Sequence, residues 1–149
     1  MTDVRFYHLQ RRSLEQTLPQ LLEKILERGS RAVVMAGSDE RVEALATHLW
    51  TFDQRAFLPH GTARDGSAAE QPIWLTASEE NPNGADVLVL TDGATSSEIG
   101  AFQICCDLFD GNDGDAVAAA RMRWKEYAAA GHAVTYWQQG DRGGWEKKA

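Results

Sequence analysis

Apolar and polar positions alternate along Val4 to Leu9, the period of a half-buried strand. In the segment SLEQTLPQLLEKILERG that follows, Leu14, Leu18, Leu21, Leu22, Ile25 and Leu26 recur at helical spacing. Ser13 with Gln16 and Thr17 with Gln20 both resemble capping boxes, and Pro19 is awkward in a helix begun at Ser13 but comfortable in one begun at Thr17. The start of this helix is open between the two; Gly29 is a good stop. RAVVMAG (31–37) is the short apolar run of a strand covered on both faces. SDERVEALATHLW (38–50) is a helix capped by Ser38 or Asp39, with Val42, Leu45, Ala46 and Leu49 along one face. Residues 51–71 hold Pro and Gly without a sustained period, the mark of a loop. PIWLTAS (72–78), ADVLVLT (85–91) and FQICCDLF (102–109) read as strands. A long Ala-rich helix then ends near Gly131, and AVTYWQ (133–138) is the last strand.

Strands that alternate with helices predict an α/β fold: a single domain with a mainly parallel sheet and helices on both faces, Rossmann-like in arrangement. The domain spans 1–138, and 139–149, ending in DRGGWEKKA, reads as a flexible C-terminal tail. No apolar run approaches the roughly 18 residues of a membrane span, so a cytoplasmic protein is expected, with no membrane contact.

Charge narrows the function classes. The chain of 149 residues has a net charge of −7, which argues against a protein that embraces a phosphate backbone. Positive charge is local: without Arg121, Arg123 and Lys125 of RMRWK the remainder carries −10. Such a spot suits a small acidic ligand better than a long polyanion, so little or no direct nucleic-acid binding is expected. Cys105 and Cys106 are adjacent in a strand, where they point to opposite faces and are poorly placed to bond each other. With no CxxC pair and scattered His8, His48, His60 and His132, no metal site has a framework.

Catalytic motifs do not emerge either. VVMAGSDERVE invites a nucleotide at the helix start, but it has a single glycine, and Asp39 and Glu40 would repel phosphate. There is no GxxxxGK[ST], GxSxG or HExxH. Glu79-Glu80 lies in a turn-rich loop where paired carboxylates are solvated, and His60 in FLPHG has no assignable nucleophile or orienting carboxylate beside it. No cofactor is expected. A small nucleotide-dependent α/β enzyme remains the alternative, because fold does not fix function.

One stretch keeps its own question. At about 100° per residue, Val117, Arg121, Trp124, Lys125 and Ala128 fall on one stripe of the last helix. Ala116, Ala120, Arg123 and Tyr127 fall on a neighbouring stripe suited to face the sheet. Arg121 and Lys125 are spaced i, i+4 and concentrate positive potential around the flat apolar surface of Trp124. That stripe suits a small acidic ligand, which needs a cation. Spacing alone favours a solvated basic helix end with Trp124 covering core.

The residues FYHL, LW followed by FLPHG, PIWL, NGADVLVLTDG and AARMRWKEYAAAGHAVTYW occur in that order. Together they resemble the chi subunit of bacterial DNA polymerase III, a clamp-loader accessory protein, from Phe6 to Trp137. The resemblance implies a non-catalytic adaptor with an α/β fold and two separate interfaces. One takes the acidic C-terminal tail of single-stranded DNA-binding protein; carried over residue by residue, it falls on Arg121, Trp124 and Lys125, with Val117 and Ala128 on the same stripe. The other holds the psi subunit, which joins chi to the clamp loader, and falls on Trp50, Phe57, Leu58 and His60. In some members a helicase related to DNA repair competes for this second surface. Arg123, on a different face, is read as structural. The chain departs from the family in its terminal GDRGGWEKKA, and its Asp110-Gly111 stands where a more apolar pair occurs.

Overall fold

The computed structural model describes residues 2–51, 58–140 and 144–149. Eight strands form one sheet: β1 (Asp3–Leu9), β2 (Ala32–Met35), β3 (His60–Gly61), β4 (Ile73–Thr76), β5 (Val87–Leu90), β6 (Ile104–Asp110), β7 (Ala133–Gln139) and β8 (Trp145–Lys147). Their spatial order is β3-β4-β2-β5-β6-β1-β7-β8. Every neighbouring pair is parallel except β7 with β8. Among the described residues three α-helices, α1 (Leu14–Glu27), α2 (Asp39–Thr51) and α3 (Gly114–Ala129), complete the α/β fold that the pattern predicts.

Alternation sorts the strand side chains onto two cores. Val34 of β2 with Cys106 and Leu108 of β6 packs under Leu18, Leu22, Val42, Leu45 and Leu49 of α1 and α2. Val33 and Met35 with Cys105 and Phe109 face the other way, toward Ala120 and Tyr127 of α3. The adjacent cysteines thus lie on opposite faces, both buried and free. Each thiol is pushed up by burial, Cys106 to about 12.

Local chemistry fixes the helix ends. Ser13 caps α1, its hydroxyl accepting the N–H of Gln16 while the Gln16 side chain accepts that of Ser13. Pro19 therefore lies inside the helix, where it has no N–H to offer the carbonyl of Glu15. His48 of α2 replaces it, donating from Nε2 to the Glu15 carbonyl at 2.5 Å. Two short strands escaped the pattern. His60–Gly61 joins the sheet beside β4 within the stretch expected to be loop. Residues 145–147, placed by the pattern in the 139–149 tail, pair antiparallel with β7, and Trp145 packs edge-on to Tyr7 at 4.9 Å.

Candidate functional site

The predicted stripe of α3 meets the sheet in a small pocket. Phe6 of β1, Phe109 of β6 and Tyr136 of β7 form its floor; Val117, Ala120, Arg121 and Trp124 of α3 form its wall. β1 pairs with both other strands, so parallel register brings the three rings together. Trp124 is half-buried and leans on Phe6 and Tyr136, with ring centroids 5.6 and 6.2 Å away. It covers core and at the same time presents a flat face to the pocket. The volume is about 60 Å³. A cavity of about 150 Å³ is needed to hold a benzene ring. An aromatic guest would therefore enter in part, or would swing Trp124 or Arg121 aside.

Of the stripe predicted from spacing, Val117, Arg121 and Trp124 line this pocket. Lys125 and Ala128 are exposed and do not. Phe6, Phe109 and Tyr136, read only as parts of strands, and Ala120, read as sheet-facing, also belong to the pocket; the signal for the three rings was the alternation that turns them toward α3. Arg121 makes no ion pair with a described residue, so its guanidinium is available at the rim.

Behind the floor stands His8. Its Nδ1 is hydrogen-bonded to the Tyr136 hydroxyl, and its ring packs edge-on against Phe109 at 5.2 Å. The Asp110-Gly111 pair is part of the same arrangement: a Cβ at residue 111 would collide with the His8 ring, so only glycine fits that turn. Burial lowers the pKa of His8; the Gly111 backbone raises it, Arg121 lowers it and Asp110 raises it.

Arg123 sits one face away and turns inward, as read from its stripe. Its guanidinium donates from Nε and Nη2 to the two carboxylate oxygens of Asp107, at 2.7 and 3.0 Å. Burial pushes the Asp107 carboxyl up against the opposing pull of Arg123.

The second predicted surface divides. Trp50, at the end of α2, is 52% exposed. Leu58 and His60 lie buried beneath the surface, and the His60 ring underlies Trp50 at 4.2 Å. His60 is held between the carbonyls of Leu58 and Ala46, at 2.7 and 3.0 Å, the arrangement of a loop-fixing residue. Phe57 lies outside the described residues.

The carboxyl ends of the parallel strands form the crevice where such sheets commonly bind ligands. Here the backbone N–H groups of Gln10, Arg11 and Arg12, just before α1, all donate to Gln139 Oε1 at 3.2, 2.9 and 3.0 Å. A run of N–H groups that could cradle a phosphate is occupied by a side chain of β7. Across the crevice, Arg41 bridges Asp92 and Glu15. Glu79 and Glu80 are engaged with Ser97 and with the Trp74 indole N–H. Among the described residues, no group of three or more His, Cys, Asp or Glu side chains could hold a metal ion. No described helix is long and apolar enough to cross a membrane.

Comparison with known proteins adds family evidence. The sequence model of the family described as "DNA polymerase III chi subunit, HolC" matches residues 1–135. A protein of Rickettsia prowazekii (strain Madrid E), "Probable DNA polymerase III subunit chi", is 32% identical over 90 residues. That alignment covers 60% of this chain and 54% of the relative, so the chain spans about half the length of the relative it matches.

Proposed function

The chain belongs to the DNA polymerase III chi subunit family, and on that premise we propose that it is a non-catalytic adaptor of the replication machinery in the cytoplasm. It binds the acidic C-terminal tail of single-stranded DNA-binding protein at the α3 pocket and the psi subunit at Trp50, linking the clamp loader to coated single strands. The observation that carries this reading is the apolar floor of Phe6, Phe109 and Tyr136 beneath Arg121, which makes no ion pair with a described residue. A peptide ending in an aromatic residue requires that pairing of apolar seat and cation. Lys125, exposed beyond the pocket, is suited to attract the acidic residues that precede the terminus.

The alternative of a nucleotide-dependent enzyme fares less well, because Gln139 already satisfies the N–H groups at the first strand-to-helix turn. The test is titration of the protein with a peptide copying the tail of the host's single-stranded DNA-binding protein, in parallel with ATP and a single-stranded oligonucleotide. Saturable binding of the peptide alone is expected. Binding of ATP or oligonucleotide in place of the peptide would overturn the reading.

A further inference from the structure

Between α1 and the sheet lies a second pocket, of about 180 Å³, that neither proposed interface uses. Leu21 and Ile25 of α1 and Val87, Ile104 and Leu108 of the sheet make it apolar. Trp145 of β8 forms another wall. A cavity of about 150 Å³ holds one benzene molecule, so this pocket has room for a single aromatic ring with a short substituent.

Its charge is one-sided. The chain carries a net −7, yet among the described residues no Asp or Glu lines the pocket, and its charged side chains are Arg5, Lys24 and Arg28. Arg5 is paired with Asp3 at 2.9 Å. Lys24, in the last turn of α1, and Arg28, at its C-cap, make no ion pair with any described residue. Tyr7 and Cys106, also in the lining, are each pushed up to about 12 by burial and stay neutral at neutral pH. Thr17 also lines the pocket and is only 6% exposed. Its hydroxyl has no hydrogen-bond partner. A buried hydroxyl without a partner is costly unless a ligand or water meets it.

We propose that this pocket between α1, β6 and Trp145 binds a small aromatic monocarboxylate, with the ring against Trp145 and the carboxylate at Lys24 and Arg28. The site is independent of the α3 pocket, which shares its preference for an aromatic carboxylate but lies on the opposite face of the sheet.

The experiment titrates 3-phenylpropanoate, 3-phenylpropan-1-ol and 3-phenylpropylamine into the Arg121→Ala protein, in which the α3 pocket is weakened, with two-dimensional NMR as the readout. The carboxylate should saturate with a Kd on the order of 1 mM or below, and shift the Trp145 indole and Tyr7 signals. The alcohol should bind at least about tenfold more weakly, and the amine more weakly still. Lys24→Gln with Arg28→Gln, exposed changes that leave the fold intact, should remove at least about tenfold of the carboxylate's affinity. The proposal is overturned if the carboxylate fails to saturate by about 10 mM. It is equally overturned if all three compounds bind alike, or if the double variant binds as the parent does. Loss of binding on Arg121→Ala alone would place the carboxylate in the α3 pocket and also overturn it.

Discussion

Asp107 receives both of its hydrogen bonds from Arg123, at 2.7 and 3.0 Å, and the pair is almost wholly buried between β6 and α3. Two charges removed from water hold each other in place, and their geometry fixes how α3 lies on the sheet. Removing one partner leaves the other charged and unpaired, which typically costs about 3–5 kcal/mol. Arg123→Met should therefore lower the melting temperature by roughly 6–20 °C for a domain of this size. Adding Asp107→Leu should recover much of that loss, because two apolar side chains need no partner. A double variant as unstable as the single one would show that the pair does more than neutralise itself.

Arg121 tests the pocket on the other side of the same helix. Arg121→Ala should weaken binding of the tail peptide by about 1.5–3 kcal/mol, the scale of a charge-assisted hydrogen bond. Lys125→Ala should cost less, because Lys125 is exposed and stands outside the pocket. Raising salt should erode the contribution of Lys125 more than that of Arg121. Calorimetry at two salt concentrations measures all four quantities; an unaffected Arg121→Ala protein would move the tail elsewhere.

Trp50 offers the matching test for the second interface. At 52% exposure its truncation should leave the melt within about 1 kcal/mol of the parent's stability. If the ring anchors the psi subunit, Trp50→Ala should cost on the order of 2 kcal/mol or more of that binding. Tail-peptide affinity should stay within about 0.5 kcal/mol, as expected for distant sites with no shared partner. The reciprocal should hold for Arg121→Ala. Phe57→Ala belongs in the same experiment and should follow Trp50. A variant that loses both partners while its melt is unchanged would replace two surfaces with one.

His8 predicts a pH dependence. Burial, the largest influence on this ring, lowers its pKa below the ordinary value of 6.5. The unfolded chain then binds the proton more readily than the folded one, so stability rises with pH through that window. Acidification from about pH 6.5 downward should destabilise the protein, until the folded-state pKa is passed. His8→Leu should flatten this part of the curve. Denaturant midpoints across pH 5–8 for both proteins give the comparison; identical slopes would mean that another group sets the pH response.

Much of this architecture was legible because strand and helix periods differ and each helix has a chemical start and stop. The recurring Leu and Ile positions and Gly29 announced α1, and the run 31–37 announced a buried strand. What stayed hidden depends on partners remote in sequence. Pro19 made the start of α1 ambiguous because the group that replaces its missing N–H, His48, is on another helix. The strands at His60–Gly61 and Trp145–Lys147 are too short to show a period and exist through pairing with neighbours. At the site, helical spacing brought out Val117, Arg121 and Trp124, but a stripe is longer than the pocket it borders, so Lys125 and Ala128 came with it. The three rings of the floor looked like ordinary strand core. Only the register of β1 with β6 and β7 shows that they converge under α3.

That register also dictates an order of assembly. β1 is translated before the other strands, yet both of its sheet neighbours, β6 and β7, lie about a hundred residues or more downstream. The turn from β1 into α1 waits as well, since the N–H groups of Gln10, Arg11 and Arg12 are satisfied by Gln139. On the ribosome, β2, β4 and β5 can pair among themselves while β1 trails from them without a place. Contacts across such separations close slowly, because the entropy of the intervening loop is lost before the contact forms. The nascent chain therefore can place β1 in the sheet only once β6 has been synthesised, and β7 then joins on the other side of β1. The α3 pocket, floored by β1, β6 and β7, comes into being only with that later pairing of β7.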